Sequence, residues 1–192
     1  MASQHAIAFS DRVLGLGHME AAAYGCSKLQ TPSKDYNAVC ATDAAAADYL
    51  AYAKHSAAQG NIAPLGGMKA MPVWLTDGQR DSIVHPAVVA SAHTFYSALG
   101  TNVSDVVTVP GAEHAFVVDH ECPGCNACGY LGAPFVNDCS YDAAGALLRH
   151  LYGGRLAPRR VRPDPHQVFK IDQSQYFPKS CLLYTSPSPR DS

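Results

Sequence analysis

Two loops of this sequence carry side chains that could share acid–base chemistry. Asp81 follows an apolar run at 71–75, and His114 follows a second apolar run at 105–109. If both runs are parallel strands of an α/β sheet, the loops past their carboxyl ends meet at one edge, where ligands and catalytic groups gather. An imidazole there can take a proton from a nucleophile while a carboxylate holds its other ring nitrogen. Asp81 and His114 are therefore candidate catalytic residues.

Other interpretations of these residues are open. Asp77 could supply the acid instead, and Asp105 is a weaker alternative. An aspartate that follows a strand is often only a turn residue or a helix cap, and a loop histidine is often simply solvated. Five further histidines are expected to be ordinary surface or capping residues: His18, His55, His85, His93 and His150.

Strands and helices alternate along the chain, as expected for an α/β protein with a mostly parallel sheet flanked by helices. Apolar runs predict strands at 11–19, 71–75 and 105–109, with Trp74 in the core of the sheet. Helical patterns predict helices at 1–9, 43–59, 85–99 and 142–152, and Asp43 is the expected N-cap of the second.

Composition narrows the class of protein. Of 192 residues, 47% are hydrophobic and 16% charged, and the formal net charge is −2. The high hydrophobic fraction excludes a disordered chain. The balanced charge does not indicate the excess of basic residues with which proteins bind nucleic acid or an anionic membrane. No apolar stretch approaches the roughly 20 residues that a membrane helix needs.

The carboxyl-terminal part differs in character from the rest. We predict a partial α/β domain over 1–154 and a C-terminal extension over 155–180, where arginines and prolines are typical of a solvated linker. Residues 181–192 show no periodicity and resemble a translated cloning-adaptor read-through, so we expect them to form no part of the fold.

The seven cysteines allow two interpretations. Cys122, Cys125 and Cys128 are spaced by two residues each, with His120 beside them and Cys139 further on. This spacing could hold zinc or an iron–sulfur cluster, or it could belong to a loop held by disulfides. Cys181 falls in the tail at 181–192, which leaves six cysteines, an even number, in the rest of the chain.

Four segments resemble the poly(3-hydroxybutyrate) depolymerase family. They are Gly-x-x-Asp-x-x-Val at 78–84, Pro-Gly-Ala-Glu-His-Ala-Phe at 110–116, Asn-Asp-Cys-Ser-Tyr-Asp-Ala-Ala-Gly at 137–145 and the turn Ala-Tyr-Gly-Cys at 23–26. The resemblance covers roughly residues 1–177. It implies the C-terminal portion of an α/β-hydrolase and a secreted serine esterase that works through an acyl-enzyme.

The resemblance also implies roles for two residues, Asp81 as the acid that orients the histidine and His114 as the general base. It supplies no nucleophile, because no Gly-x-Ser-x-Gly occurs, and Ser3 and Ser10 lack the flanking glycines of a nucleophile elbow. The first residues resemble the helix that follows the elbow. We therefore expect the serine just upstream of Met1, and an N-terminally truncated fragment that is inactive by itself.

Secretion, as the family implies, favours disulfides over a metal site. We expect Cys26 to pair with Cys40, and Cys139 to pair with Cys122, Cys125 or Cys128, which the sequence leaves open. The expected substrate is a polyester or small ester, with no cofactor, metal, nucleic acid or membrane partner. The alternative is a non-catalytic binding protein or a cysteine-rich metal-binding module.

Overall fold

A computed structural model describes residues 2–29, 35–120, 122–157 and 171–172. One compact unit spans Met1–Ala157. The second unit, Pro158–Ser192, lies almost wholly outside the described residues, as do the tail at 181–192 and most of the extension predicted over 155–180. Within the described ranges, no helix is long and apolar enough to cross a membrane.

The main sheet has four parallel strands with β2 at its centre. Its strands are β1 (Leu16–Met19), β2 (Pro72–Gly78), β3 (Asn102–Val103) and β4 (Val107–Val109). β1 pairs with one edge of β2, and β3 and β4 pair in turn with the other edge. β2 is buried along almost its whole length, which explains its continuous apolar character.

Helices cover both faces of this sheet. They are α1 (Ala2–Ala8), α2 (Cys26–Leu29), α3 (Tyr36–Cys40), α4 (Asp43–Ala58), α5 (Pro86–Ala98) and α6 (Ala143–Leu151), with a 3-10 turn at Leu65–Met68. Because side chains alternate along a strand, Val73 and Leu75 pack into the larger core with α1, α4 and α5. Trp74 packs into a smaller core with Ala143 of α6. The predicted α/β class and the core position of Trp74 are confirmed.

A second, three-stranded parallel sheet lies in the cysteine-rich region. Its strands are β5 (Phe116–Val118), β6 (Asn126–Ala127) and β7 (Val136–Asp138), and β7 lies in the middle. The sequence did not predict this sheet, because strands of two or three residues are too short to show periodicity.

Element boundaries differ from the prediction at several places, and the strand predicted at 71–75 continues to Gly78. The strand predicted at 11–19 begins only at Leu16, and Leu14 is exposed. The strand predicted at 105–109 begins at Val107. The N-cap of α4 is Thr42 rather than Asp43, because the Thr42 hydroxyl accepts the N–H of Ala45.

Candidate active site

Two loops meet at the carboxyl edge of the main sheet. The acid loop, residues 79–85, follows β2, and the histidine loop, residues 110–115, follows β4. The Arg80 N–H donates to the Ala112 carbonyl at 2.8 Å, and the Gly111 N–H donates to Gln79 Oε1 at 3.0 Å. Gly78 permits this approach, because a Cβ there would lie 2.6 Å from the Ala112 oxygen.

Asp81 and His114 lie together in these loops. His114 Nδ1 is 2.9 Å from Asp81 Oδ2. The other carboxylate oxygen of Asp81 accepts the backbone N–H groups of Ile83 at 2.9 Å and Val84 at 2.7 Å. Asp81 is buried, whereas the His114 ring is partly exposed. The acid is thus fixed by the backbone of its own loop, and one ring nitrogen of the histidine is directed at it.

Glu113 connects the same two loops. Its Oε2 accepts the N–H and the hydroxyl of Ser82 and the N–H of His114. Burial opposes ionisation of this carboxyl, but the hydrogen bonds from His114 and Ser82 prevail and lower the pKa of Glu113. The ionised side chain of Glu113 therefore links the acid loop to the histidine loop through hydrogen bonds.

Glu20 is a further acid at the site, and it was not among the residues predicted from the sequence. It is 8% exposed, and its Oε2 lies 3.3 Å from His114 Nδ1. Burial and, next, the charge of Asp81 raise the pKa of Glu20 to about 8, although a hydrogen bond from the Ala115 backbone opposes this. Glu20 directly follows β1, so the rule that selected Asp81 could have selected it too.

The two alternative acids do not contact His114. Asp77 is buried on β2, where burial raises its pKa and a hydrogen bond from Thr108 opposes the shift. Its Oδ1 has no hydrogen-bond partner within the described ranges. Asp105 is exposed and precedes β4, so it lies towards the amino end of that strand, away from the site.

The histidine opens onto a small cavity. The cavity has a volume of about 340 Å³ and is lined by Met19, Glu20, His114, Ala115, Phe116 and Phe135. Both phenylalanines are exposed and offer an apolar wall beside the imidazole. The arrangement can therefore hold an apolar group next to the imidazole of His114.

Neither serine near the start of the chain is available as a nucleophile. Ser3 is buried, and its hydroxyl lies 2.7 Å from the Tyr96 hydroxyl. The Ser10 hydroxyl donates to the Pro64 carbonyl at 3.0 Å.

Of the other histidines, His18 is not a surface residue, so that expectation is wrong. It is 2% exposed, and its Nε2 donates to the Ala22 carbonyl at 3.1 Å. Burial lowers the pKa of His18 to about 4. Its position on β1, which pairs with the central strand, explains the burial.

Three disulfides account for six cysteines. They join Cys26 to Cys40, Cys122 to Cys125 and Cys128 to Cys139. The expected Cys26–Cys40 pair is confirmed, and the partner of Cys139 is Cys128. The thiolates that a metal would need at 122–128 are therefore occupied. His120 instead places Nδ1 2.7 Å from Asp119 Oδ1.

No protein-family model matches the chain. It is 34% identical to a poly(3-hydroxybutyrate) depolymerase of Delftia acidovorans over 122 residues, which cover 63% of the chain and 24% of that relative. It is 31% identical to a polyhydroxybutyrate depolymerase of Talaromyces funiculosus over an alignment of 201 positions, which covers 94% of the chain and 56% of that relative.

Two solved structures are also similar. The crystal structure of a PHB depolymerase from Penicillium funiculosum has a TM-score of 0.71 and 27% identity, and the match covers 83% of this chain and 49% of that one. A PHB depolymerase complexed with an R3HB trimer has a TM-score of 0.69 and 29% identity, covering 80% and 48%. The chain thus spans between a quarter and a little over half of the length of these proteins.

Proposed function

Because the chain belongs to the poly(3-hydroxybutyrate) depolymerase family, we propose that its Asp81–His114 pair serves the hydrolysis of carboxylic esters. The observation that carries this proposal is the 2.9 Å contact between Asp81 Oδ2 and His114 Nδ1. It leaves the other ring nitrogen, Nε2, to accept a proton. In this role His114 is the general base and Asp81 is the residue that orients it.

The nucleophile is a serine that the 192 residues do not supply in a recognisable elbow. In the proposed mechanism a serine from outside these residues gives its proton to His114 Nε2 and attacks the ester carbonyl. His114 then returns the proton to the leaving alcohol, and water hydrolyses the acyl-enzyme by the same route. Asp81 keeps Nδ1 protonated and stabilises the imidazolium that forms.

The proposed substrate is a polyester of short hydroxyalkanoates or one of its oligomers. The apolar wall of Phe116 and Phe135 beside His114 suits the aliphatic part of such an ester. A similar solved structure, that of a PHB depolymerase, contains an R3HB trimer bound to that protein. The three disulfides support an extracellular location, because disulfides persist in oxidising compartments.

A chimera tests the proposal. The part of the Talaromyces funiculosus relative that precedes its aligned region is joined before Met1, and hydrolysis of p-nitrophenyl butyrate and of the hydroxybutyrate trimer is measured. We expect turnover, and we expect His114→Ala to lower kcat by at least about 10³-fold. His55→Ala, on the exposed face of α4, is the matched control and should leave kcat unchanged.

Two outcomes would contradict the proposal. One is turnover that survives His114→Ala. The other is a chimera that folds, by circular dichroism, and binds the trimer without hydrolysing it, which would favour the alternative of a non-catalytic binding protein.

A further inference from the structure

We propose that Glu20, Asp81 and His114 form a zinc-binding site, and that zinc there prevents His114 from acting as a base. The binding of zinc does not depend on the proposed ester hydrolysis. Only the inhibition of hydrolysis rests on that proposed function.

The ligand atoms are already close to the geometry that zinc requires. One atom from each of the three residues lies within 4.8 Å of the other two. Nδ1 of His114 is 2.9 Å from Asp81 Oδ2 and 3.3 Å from Glu20 Oε2. Tetrahedral zinc with bonds of about 2.0–2.2 Å holds neighbouring ligands roughly 3.3–3.6 Å apart. Small side-chain shifts are therefore enough to admit the ion.

The charge around these atoms favours a cation. Glu20, Asp77 and Asp81 are all buried, and Asp77 Oδ1 has no hydrogen-bond partner in the described part of the chain. No lysine or arginine among the described residues forms an ion pair with any of the three. The one imidazole of His114 faces Asp81 and Glu20. Because several buried carboxyl groups share this single basic group, a divalent cation would stabilise the cluster.

The kind of ligand selects the metal. One imidazole nitrogen and two carboxylate oxygens suit zinc, whereas magnesium and calcium prefer sets made of oxygen alone. The cavity beside Glu20 and His114 gives the ion an entry path and room for water as a fourth ligand.

Zinc and base catalysis compete for one nitrogen. The base function needs a proton on Nδ1, donated to Asp81, and a free lone pair on Nε2. Zinc takes the lone pair of Nδ1, so the proton must leave that atom and the neutral ring carries it on Nε2 instead. A ring in that form cannot accept a proton from a serine hydroxyl.

Calorimetry on the metal-free 192-residue chain tests the site. Every sample carries Cys181→Ser, to remove the one cysteine outside the three disulfides, and is titrated with zinc chloride or magnesium chloride. We expect one zinc per chain and no saturable magnesium binding. Glu20→Gln should weaken zinc binding by at least about tenfold. His120→Gln is the matched control, because it removes another histidine that contacts a carboxylate, and it should leave the affinity unchanged.

No saturable zinc binding, or equal affinity in the Glu20→Gln variant, would overturn the proposal. If Glu20→Gln does not fold, nuclear magnetic resonance of the His114 ring in the otherwise unaltered chain decides. Zinc must then bind at Nδ1, and a His114 signal unmoved by saturating zinc overturns the site.

The chimera separates this proposal from the proposed function. We expect zinc to inhibit its ester hydrolysis, EDTA to restore it, and Glu20→Gln to weaken the inhibition by the same factor as the binding. An inactive chimera that still binds zinc would contradict the proposed ester hydrolysis but not the zinc site. An active chimera that zinc does not inhibit would contradict the proposal that zinc prevents His114 from acting as a base.

Discussion

Glu113 Oε2 accepts both the backbone N–H of Ser82 at 3.1 Å and its hydroxyl at 3.2 Å, although the two residues are 31 positions apart. The contact joins the acid loop to the histidine loop. Because Ser82 follows Asp81 and Glu113 precedes His114, it also fixes the distance between the acid and the histidine. The site is thus held by a residue that need not take part in the chemistry.

Replacing Glu113 with glutamine should weaken this link between the two loops. The amide is a weaker acceptor than a carboxylate, and we expect a loss of about 1 kcal/mol in the free energy of unfolding at pH 7. The hydrogen bonds lower the pKa of Glu113, so its contribution is present above the ordinary value of 4.5 and is lost as the pH falls through its folded value. Urea unfolding at a series of pH values from 7 downwards checks this, because the difference between the two proteins should shrink as the carboxylate becomes protonated. A difference that does not change with pH across the acid range would contradict the explanation.

Asp81→Asn and Asp81→Ala should differ. Asparagine keeps an oxygen to accept the N–H groups of Ile83 and Val84, so we expect stability within about 1 kcal/mol of the parent. Alanine leaves both donors without their partner and should cost about 2–3 kcal/mol. Thermal unfolding separates the variants, and equal losses would show that Asp81 does not hold its loop.

The same two variants report on the histidine. The asparagine amide turns a donor towards His114 Nδ1, so the Nδ1 proton signal of the parent in nuclear magnetic resonance should disappear. If that signal is unchanged in Asp81→Asn, Asp81 does not hold the ring.

His18 should make the protein less stable in mild acid. Burial lowers its pKa from 6.5 to about 4, so between these values the unfolded chain binds a proton that the folded chain does not. Stability is therefore full above pH 6.5 and falls by about 2–3 kcal/mol by pH 4.5. His18→Gln keeps a donor for the Ala22 carbonyl but does not titrate. Its unfolding free energy should fall less between pH 7 and pH 4.5, and equal falls would contradict the assignment.

The Cys128–Cys139 disulfide should matter more than Cys122–Cys125. It closes a loop of 11 residues rather than 3. The entropy of closing these loops then predicts that replacing the cysteines by serine lowers the free energy of unfolding. The expected loss is about 3 kcal/mol for Cys128–Cys139 and about 1.5 kcal/mol for Cys122–Cys125. The backbone carbonyl of Cys128 also accepts the N–H of Glu113, so loss of the disulfide that anchors Cys128 should loosen the histidine loop as well. Urea midpoints of the two double variants decide, and equal midpoints would count against the loop argument.

Much of the fold could be predicted because its signals are local. The apolar run of β2 is buried on both sides, and α5 begins with Pro86 and ends before Gly100. Asp81 and His114 could be predicted as a pair because each follows a strand of a parallel sheet. In the structure the Oδ2 atom of Asp81 lies 2.9 Å from Nδ1 of His114. These inferences need only the order of elements and the rule that carboxyl ends share an edge.

Other features depended on contacts that no local pattern records. Glu20 reaches His114 because β1 pairs with β2 in a register that places Met19 beside Thr76, and because Glu20 then turns with a positive φ of 45°. The burial of His18, the partner of Cys139 and the second sheet likewise follow from how distant segments pack. The sequence alone determined which side chains could do chemistry at this edge. Only the tertiary structure decided that two carboxyl groups, not one, meet the same imidazole nitrogen, because register and backbone turns are set by packing between segments.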